Sequence, residues 1–386
     1  MYPDDDNLHP RGKNVMIIAG EASGDLHGAS LVTAMRRMDP SLAFYGIGGK
    51  RLQEAGVKTI ANSADMAVVG VTEVFAKLGF ILRVRRTLKR YLREGTCDLV
   101  ILIDYPDFNL PLAKVAHTHN VKVFYYISPQ VWAWRRRRIY DIARYVDRMA
   151  VILPFEKEFY DNVNLEVSFV GHPLLDVVHR KYSDNEARER FGLNPGMTTV
   201  GIMPGSRHNE IVSLLPDMLE AARMLSQRRS SLQFVLPVAE TLDYDFVAAM
   251  VARYPVDVKI VRNNVYDVIA VSDIAMVASG TATLETALLG TPMIVVYKVS
   301  PITYHLARLL IKVEHISLVN IIAGRPVVPE LIQHRANPTT MAREIHDMLD
   351  DEPRMDAIRN ELRTLKDRLG SPGAAVKAAA AAYGLL

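Results

Sequence analysis

Asp104 is well placed for acid–base chemistry. It follows residues 98–103 (DLVILI), which are apolar after the first position and typical of a central parallel strand covered on both faces. Ligands of open α/β sheets bind beyond the carboxyl ends of the strands, so Asp104 can act as a general base if its surroundings tune its pKa. The alternative is a turn carboxylate or a helix N-cap, and this alternative is stronger for Asp107.

A turn in the second half of the chain has the composition of a phosphate site. Residues 274–278 form a short apolar run, and Ser279, Gly280 and Thr281 separate this run from a helix-forming segment. Backbone N–H groups at the start of a helix bind phosphate, and Glu285, one turn further on, can accept hydrogen bonds from ribose hydroxyls. An ordinary strand–helix connection, with Ser279 as N-cap, explains the same pattern equally well.

A second turn of this kind follows residues 198–203 (TTVGIM), which are typical of a strand. Gly205 and Ser206 bring the backbone close to a ligand, and Arg207 can pair bidentately with a diphosphate. So short a motif also occurs by chance. Its meaning therefore depends on the rest of the chain.

The loop after the first strand-like run, residues 15–19, is rich in glycine and carries Glu21, Ser23 and Asp25. Its glycines are spaced G-x3-G-x3-G, which is not the G-x-G-x-x-G pattern of dinucleotide-binding folds, so nicotinamide chemistry loses support. The glycines still allow a ligand to approach the backbone. The alternative is that they serve only a tight turn and close helix packing.

The elements that position these residues alternate between strand and helix in both halves of the chain. This order predicts an α/β protein of two doubly wound, Rossmann-like domains facing across a cleft, where a nucleotide would bind. The polar stretch 180–190 marks the change of domain. We predict a first domain over residues 1–178, a second over 179–350, and a helical segment, 351–386, that crosses back to the first.

Composition narrows the class of protein. The chain has 386 residues, 49% of them hydrophobic, and this is enough for two globular cores. The single cysteine, Cys97, excludes a disulfide framework and favours a reducing compartment. A net charge of +3 does not by itself indicate nucleic acid. No apolar run has the length of a signal peptide core or of a spanning helix, so we expect a soluble or peripheral protein.

Residues 66–93 combine apolar bulk with positive charge, because seven basic side chains and one acidic side chain lie in this stretch. Such a segment suits an anionic membrane surface; the alternative is a core helix with a solvated basic face. Within this stretch, the predicted docking residues are Val68, Val69, Val74, Phe75, Leu78 and Phe80.

Further along, Trp132 and Trp134 precede four arginines and can stack a sugar or hold an anionic head group.

Nine segments, in order between about residues 14 and 335, together resemble the lipid-A-disaccharide synthase family. They are AGEASGDLHG (19–28), GIGG (46–49), IDYPDFN (103–109), SPQVWAWR (128–135), LPFEKEFY (153–160), VGHPLLD (170–176), PGSRHNEI (204–211), ASGTATLE (278–285) and SLVNIIAGRPVVPELIQ (317–333). The resemblance implies a glycosyltransferase B fold. It also implies transfer of 2,3-diacylglucosamine from UDP to 2,3-diacylglucosamine 1-phosphate in lipid A biosynthesis, with inversion and release of UDP.

The same resemblance implies roles for single residues. Asp104 becomes the base, Arg207 and residues 279–281 hold the diphosphate, and Glu285 holds the ribose. The resemblance places Asn320, Glu330 and Gln333 on the uridine side of the donor pocket. It places Glu21, Ser23, Asp25 and Trp134 on the acceptor side.

The expected surroundings are the cytoplasmic face of the inner membrane of a Gram-negative bacterium, without nucleic acid, and the family resemblance suggests a homodimer. We expect no cofactor and no metal, since the D-x-D patterns at residues 4–6 and 243–245 lie in a polar tail and at a helix start. Alternatives are another UDP-sugar transferase or epimerase of the same fold, and a non-catalytic nucleotide-binding protein of the membrane surface.

Overall fold

The computed structural model describes residues 12–66, 71–133, 135–300, 304 and 314–386, with the backbone alone at Ala22 and at residues 71–78. The chain divides into two compact units, Met1–Pro173 with Leu369–Leu386, and Leu174–Arg368. The prediction placed the boundary after residue 178 and kept residues 351–386 as one segment. In the structure, the boundary comes earlier, and that segment is divided at residue 369.

In the part of the chain that is described, the first unit is built on a seven-stranded parallel sheet. Its strands are β1 (Asn14–Ala19), β2 (Ala43–Gly48), β3 (Lys58–Asn62), β4 (Leu99–Ile103), β5 (Lys122–Tyr126), β6 (Arg148–Val151) and β7 (Glu166–Phe169). Their order is β3-β2-β1-β4-β5-β6-β7. The helices between them are α1 (Ala22–Met38), α2 (Lys50–Glu54), α3 (Ser63–Met66), α4 (Val71–Arg93), α5 (Pro106–Thr118), α6 (Arg138–Tyr145) and α7 (Glu156–Phe159).

The second unit has a six-stranded parallel sheet among its described residues. Its strands are β8 (Thr198–Met203), β9 (Leu232–Val238), β10 (Val258–Arg262), β11 (Ile274–Ala278), β12 (Met293–Tyr297) and β13 (Glu330–Ile332), in the order β10-β9-β8-β11-β12-β13. Its helices are α8 (Leu174–Val177), α9 (Asp184–Phe191), α10 (His208–Arg228), α11 (Tyr244–Val251), α12 (Val265–Val271), α13 (Thr281–Leu288), α14 (Leu318–Ala323), α15 (Pro338–Leu349) and α16 (Glu352–Arg368), with a 3₁₀ turn at Gln333–Arg335.

The central strands are continuously apolar because helices cover both faces of the sheet. In β1, Val15 and Ile17 point into one core of the first unit, while Met16 and Ile18 point into the other. All five residues of β4 are buried. This is the pattern expected of strands in a doubly wound parallel sheet.

The order of the strands reverses once in each sheet, and these reversals locate the candidate sites. In the first sheet, β1 pairs with β2 on one side and with β4 on the other. In the second, β8 pairs with β9 and with β11 in the same way. Successive connections leave such a point toward opposite faces of the sheet, which opens a crevice at the carboxyl ends of the strands.

The last helix, α17 (Ala374–Tyr383), belongs to the first unit. Four of its alanines, Ala374, Ala378, Ala379 and Ala382, are buried in the core on the side of α1, where small side chains let the two helices approach closely. Arg148 on β6 donates a hydrogen bond of 2.7 Å to the carbonyl of Ala381. The C-terminal residues thereby complete one face of the first sheet.

The predicted docking segment is described only in part. Phe80 exposes 38% of its surface. Among the described residues, no helix has both the length and the apolar composition needed to cross a membrane. Of the other docking residues, Val68 and Val69 lie outside the described residues, and Val74, Phe75 and Leu78 lie on α4 where the backbone alone is described.

Candidate active site

The chain leaves β4 through Asp104 and Tyr105, which we call the Asp104 turn. Both residues adopt the left-handed backbone conformation, with φ of 42° and 48°, which non-glycine residues rarely do. The half-buried Asp104 carboxyl has its pKa raised from 3.8 to about 6, chiefly by burial and then by the Glu21 carboxylate, against a hydrogen bond from the N–H of Tyr105. A carboxyl that titrates near neutral pH is suited to exchange protons with a substrate.

The loop after β1 lies beside this turn. A side chain at Gly20 would overlap the ring of Tyr105, so the loop can approach this closely only with glycine there. Glu21 is exposed, and its charge raises the pKa of both Asp104 and Tyr105. Ser23 is exposed at the start of α1. The structure therefore brings Glu21 close to the candidate base.

Asp25, predicted on the acceptor side, has a different place. Its buried carboxylate accepts hydrogen bonds from the backbone N–H groups of Gly49 at 2.6 Å, Leu52 at 3.1 Å and Arg51 at 3.1 Å. These are the orphan donors at the start of α2, which a carboxylate satisfies well. The geometry assigns Asp25 to the junction between α1 and α2 and leaves little of it for a substrate.

Glu156, which the sequence interpretation did not single out, is a second buried carboxyl in this region. It accepts hydrogen bonds from the indole N–H of Trp132 at 3.3 Å and from the backbone N–H groups of Ile152 and Leu153 at 3.3 and 3.0 Å. Burial raises its pKa to about 7, and the charge of Asp104 also raises it. The one signal in the sequence was its position inside LPFEKEFY. The predicted Trp134 lies outside the described residues.

Residues 279–281, which we call the Gly280 turn, connect β11 to α13. Gly280 has φ of 148° and ψ of −158°, a conformation essentially restricted to glycine. Gly280 and Thr281 are exposed, and no described atom lies within 4 Å of where a Cβ of residue 280 would stand. The first turn of α13 is thus open to an anion. The Ser279 hydroxyl lies 3.5 Å from the carbonyl of Ile316, at the limit of a hydrogen bond.

Glu285 lies one turn inside α13 and is half-buried. Burial raises the pKa of its carboxyl, while a hydrogen bond of 3.4 Å from the hydroxyl of Tyr266 opposes the rise. A carboxylate of this kind has further lone pairs with which to accept hydrogen bonds from vicinal hydroxyls. Its position one turn from Gly280 agrees with a ribose site beside a phosphate site.

The turn after β8 places Arg207 at the start of α10, with 75% of its side chain exposed. Glu210, another residue that the sequence interpretation passed over, accepts hydrogen bonds from the N–H groups of Ser206 at 3.0 Å and Arg207 at 3.2 Å, and from the Arg207 guanidinium at 3.2 Å. Its carboxylate would overlap a side chain at Gly205. Of the two residues whose backbone was expected to face a diphosphate, Ser206 therefore has its N–H occupied by Glu210, while most of the Arg207 side chain is exposed.

Asn320 and Glu330, predicted on the uridine side, are bonded to the protein itself. The buried Asn320 amide donates to the Val328 carbonyl and the Glu330 carboxylate, each at 2.9 Å, and accepts from two backbone N–H groups. Glu330 also accepts from the N–H groups of Ile316 at 3.0 Å and Ser317 at 2.9 Å. The amide of Asn320 therefore has all of its hydrogen-bonding positions occupied within the protein, and the Glu330 carboxylate has three of about four occupied.

Gln333 has the same kind of role. Its amide pairs with the backbone of Val299 in both directions, accepting from the N–H at 2.8 Å and donating to the carbonyl at 2.9 Å. Gln333 itself has φ of 53°, and the pairing holds the chain after β12 beside the end of β13. The pairing shows that Gln333 positions backbone.

Most predicted site residues lie at the reversal point of one sheet or the other. Glu21 and Asp104 follow the neighbouring strands β1 and β4, and Arg207 and the Gly280 turn follow the neighbouring strands β8 and β11. Asp243 accepts hydrogen bonds from the N–H groups of Asp245 and Phe246, so it is the N-cap of α11. Residues 4–6 lie outside the described residues. The described residues contain no group of three or more His, Cys, Asp or Glu arranged to hold a metal ion.

A family model of lipid-A-disaccharide synthetases matches residues 15–381. The chain belongs to the lipid-A-disaccharide synthetase family. A lipid-A-disaccharide synthase of Syntrophus aciditrophicus (strain SB) is 55% identical over 375 residues, which cover 97% of this chain and 98% of the relative. Family membership confirms the resemblance drawn from the nine segments and the prediction of a hexosyltransferase.

Solved structures with the same fold are much more distant in sequence. UDP-GlcNAc 2-epimerase from Neisseria meningitidis, bound to UDP-GlcNAc, matches with a TM-score of 0.61 at 11% identity, over 92% of this chain and 97% of that one. The calicheamicin glycosyltransferase CalG4 matches with a TM-score of 0.60 at 13% identity, over 97% and 99%. At such identities the likeness concerns the fold alone, and it confirms the predicted class, the two-domain glycosyltransferase B fold.

Proposed function

We propose that this chain transfers 2,3-diacylglucosamine from UDP to the 6-hydroxyl of 2,3-diacylglucosamine 1-phosphate. The products are the β-1,6-linked lipid A disaccharide 1-phosphate and UDP. Family membership supports the reaction. The observation that carries the assignment of the base is the half-buried Asp104 carboxyl at the reversal point of the first sheet.

Inversion at the anomeric carbon calls for a single displacement. The 6-oxygen of the acceptor forms a bond to the anomeric carbon while the bond from that carbon to UDP breaks. The hydroxyl proton passes to the Asp104 carboxylate, and the bonding electron pair leaves with the β-phosphate of UDP. The base must be ionised to begin the step, and with a pKa of about 6 it is mostly ionised above neutral pH.

On the donor side, Arg207 and the first turn of α13 meet the charge of the diphosphate, and Glu285 accepts hydrogen bonds from the ribose. Support comes from the exposed Arg207 guanidinium and from the open space at Gly280. In this proposal, Asn320, Glu330 and Gln333 shape the wall of the donor pocket. No metal ion is needed, because the arginine and the helix dipole supply the positive charge.

Both lipid substrates would reach the enzyme from a membrane. We propose docking on the cytoplasmic face of the inner membrane through the apolar segment around Phe80 and the basic side chains that follow it on α4. Positive charges lie close together on this part of α4. The pKa of the Lys89 amine is lowered, first by burial and then by the charges of Arg85 and Arg93. We also propose that the chain forms a homodimer.

The docking site is tested by combining Phe80→Ser with Arg83→Ser and Arg86→Ser. We expect this variant to sediment less with anionic vesicles than the wild type. Unchanged sedimentation would refute the docking site.

The reaction is tested by replacing Asp104 with asparagine, which keeps its size and tolerates the left-handed conformation. We expect turnover with diacylated donor and acceptor to fall by about 100-fold or more, the contribution of a general base. UDP should still bind with unchanged affinity in calorimetry. A variant that keeps full turnover would exclude Asp104 as the base. Turnover of non-acylated UDP-GlcNAc without any acceptor would favour an epimerase instead.

A further inference from the structure

The Asp104 turn carries backbone strain that a simple turn does not need. Each left-handed residue without special compensation costs roughly 1–2 kcal/mol, and two non-glycine residues adopt this conformation in succession. Aspartate tolerates it better than most residues, whereas tyrosine does not. Such strain persists only where the surrounding structure fixes the conformation, and it concentrates at functional sites.

Two side chains fix the turn by holding the carbonyl of Asp104. The hydroxyl of Tyr125 donates to this oxygen at 2.5 Å, and the side-chain amide of Asn109 donates to it at 2.6 Å. The Asn109 amide also donates to the carbonyl of Ile103 at 3.2 Å. Because two carbonyl oxygens face this amide, its nitrogen must be the atom that points toward them.

Both holding residues are rigid parts of the fold. Tyr125 is fully buried on β5, the strand beside β4, and Asn109 is fully buried in the first turns of α5. Burial raises the pKa of Tyr125 well above its ordinary value, so its hydroxyl stays a donor. The carbonyl of Asp104 is thus clamped from the neighbouring strand and from the following helix.

The ring of Tyr105 is fixed as well. It stacks on Phe108 with ring centroids 5.5 Å apart, and its hydroxyl donates to the carbonyl of Met66 at 3.3 Å. On the other side the ring lies against Gly20, where no side chain fits. Since the carbonyl of Asp104 and the ring of Tyr105 are both held, the fold fixes the direction in which the Asp104 carboxyl leaves the chain.

We propose that Asn109 and Tyr125 are positioning residues for the transfer reaction. They do not touch the substrate. Through the Asp104 carbonyl they hold the base in the direction that reaches the acceptor hydroxyl, and they offset the strain of the turn. This inference rests on the proposed function, because it presumes that Asp104 is the base.

The test compares Tyr125→Phe, which removes one hydroxyl, with Asn109→Leu, which removes both amide donors and keeps the branched shape of the side chain. A misplacement of about 1 Å can cost 100-fold in rate, so we expect kcat to fall about 10-fold in Tyr125→Phe and about 100-fold in Asn109→Leu. The KM for the donor and the affinity for UDP should not change. Tyr45→Phe, at a buried tyrosine of β2 in the same sheet, is the matched control and should keep kcat.

A double-mutant cycle separates positioning from plain structural support. If Tyr125 acts through the base, Tyr125→Phe should have no further effect on the residual turnover of Asp104→Asn. A full 10-fold loss in that background would overturn the inference, and so would wild-type kcat in both single variants. If Asp104→Asn itself keeps full turnover, the assignment of the base fails first. Should Asn109→Leu fail to fold, Tyr125→Phe and its cycle still decide the matter.

Discussion

The Asp104 turn and the Gly280 turn occupy equivalent places in the two sheets but are built in opposite ways. Each follows a central strand at the point where the strand order reverses. The Asp104 turn is made of two strained non-glycine residues, with its carbonyl clamped by two buried side chains. The Gly280 turn is exposed, and no described atom fills the space beside its glycine.

The difference follows from what each turn is proposed to do. A base that removes a proton during bond formation must be directed within a narrow range, so strain and rigid packing are tolerated. A turn that receives a diphosphate needs uncovered backbone N–H groups, which glycine provides. In this proposal, the same topology serves a chemical step in one unit and a binding step in the other. Variants of the two regions should separate kcat from affinity.

The largest effect on the affinity for UDP is expected from Arg207→Ala. Hydrogen bonds to charged groups contribute about 1.5–3 kcal/mol, so the affinity for UDP should fall roughly 10- to 100-fold in calorimetry. The melting temperature should hardly change, because 75% of this side chain is exposed. Arg253→Ala, at another exposed arginine of the second unit, should leave UDP affinity unchanged.

The contrast with the chemical side makes this prediction specific. Asp104→Asn should lower kcat and keep the affinity for UDP, whereas Arg207→Ala should lower the affinity for UDP. Wild-type turnover should survive EDTA, since in the proposed site Arg207 and α13 supply the positive charge. A turnover lost in EDTA and restored by magnesium would show that an ion carries that charge, and wild-type UDP affinity in Arg207→Ala would remove the arginine from the site.

The central strands and the residues at their ends could be predicted from sequence for a simple physical reason. A parallel strand covered on both faces is an unbroken apolar run, and the first polar residue after it stands at the ligand-binding edge. Asp104 and Ser279 are such residues, and Arg207 directly follows Ser206, the first polar residue after β8. The short strands β3 and β13 gave no such run, since β3 exposes Lys58 and Asn62 and β13 has only three residues.

What the sequence could not supply were partners distant along the chain. Asp25 lies 24 residues before Gly49, and Glu156 lies 24 residues after Trp132, so only the fold shows that these groups meet. For the same reason, Asn320 was expected to face uridine, whereas its amide joins α14 to the segment before β13. A polar residue inside a family motif can equally hold the backbone or the substrate. The distinction rests on where its hydrogen bonds go.

The smallest expected effect is on stability, and it tests whether the ionised Asp104 carboxyl lowers the stability of the folded chain. The pKa of Asp104 is about 6 in the folded chain, against an ordinary value of 3.8. Between these two pH values the folded chain binds more protons than the unfolded chain. The stability that this group contributes is therefore lost as the pH rises from about 4 to about 6. Above pH 6 the buried charge opposes folding. Asp104→Asn removes it, so we expect a melting temperature about 2–4 °C above wild type at pH 8.

This gain should vanish near pH 4, where the carboxyl is mostly protonated in the folded chain and the neutral amide no longer offers an advantage. Asp107→Asn is the matched control three residues away, because its exposed carboxylate pairs with Arg135 and Arg138 and its removal should not raise the melting temperature. Thermal scans of the three proteins from pH 4 to 8 measure the effect. A variant no more stable than wild type at pH 8 would mean that Asp104 is accommodated without cost, and the contrast between the two turns would then be one of shape alone.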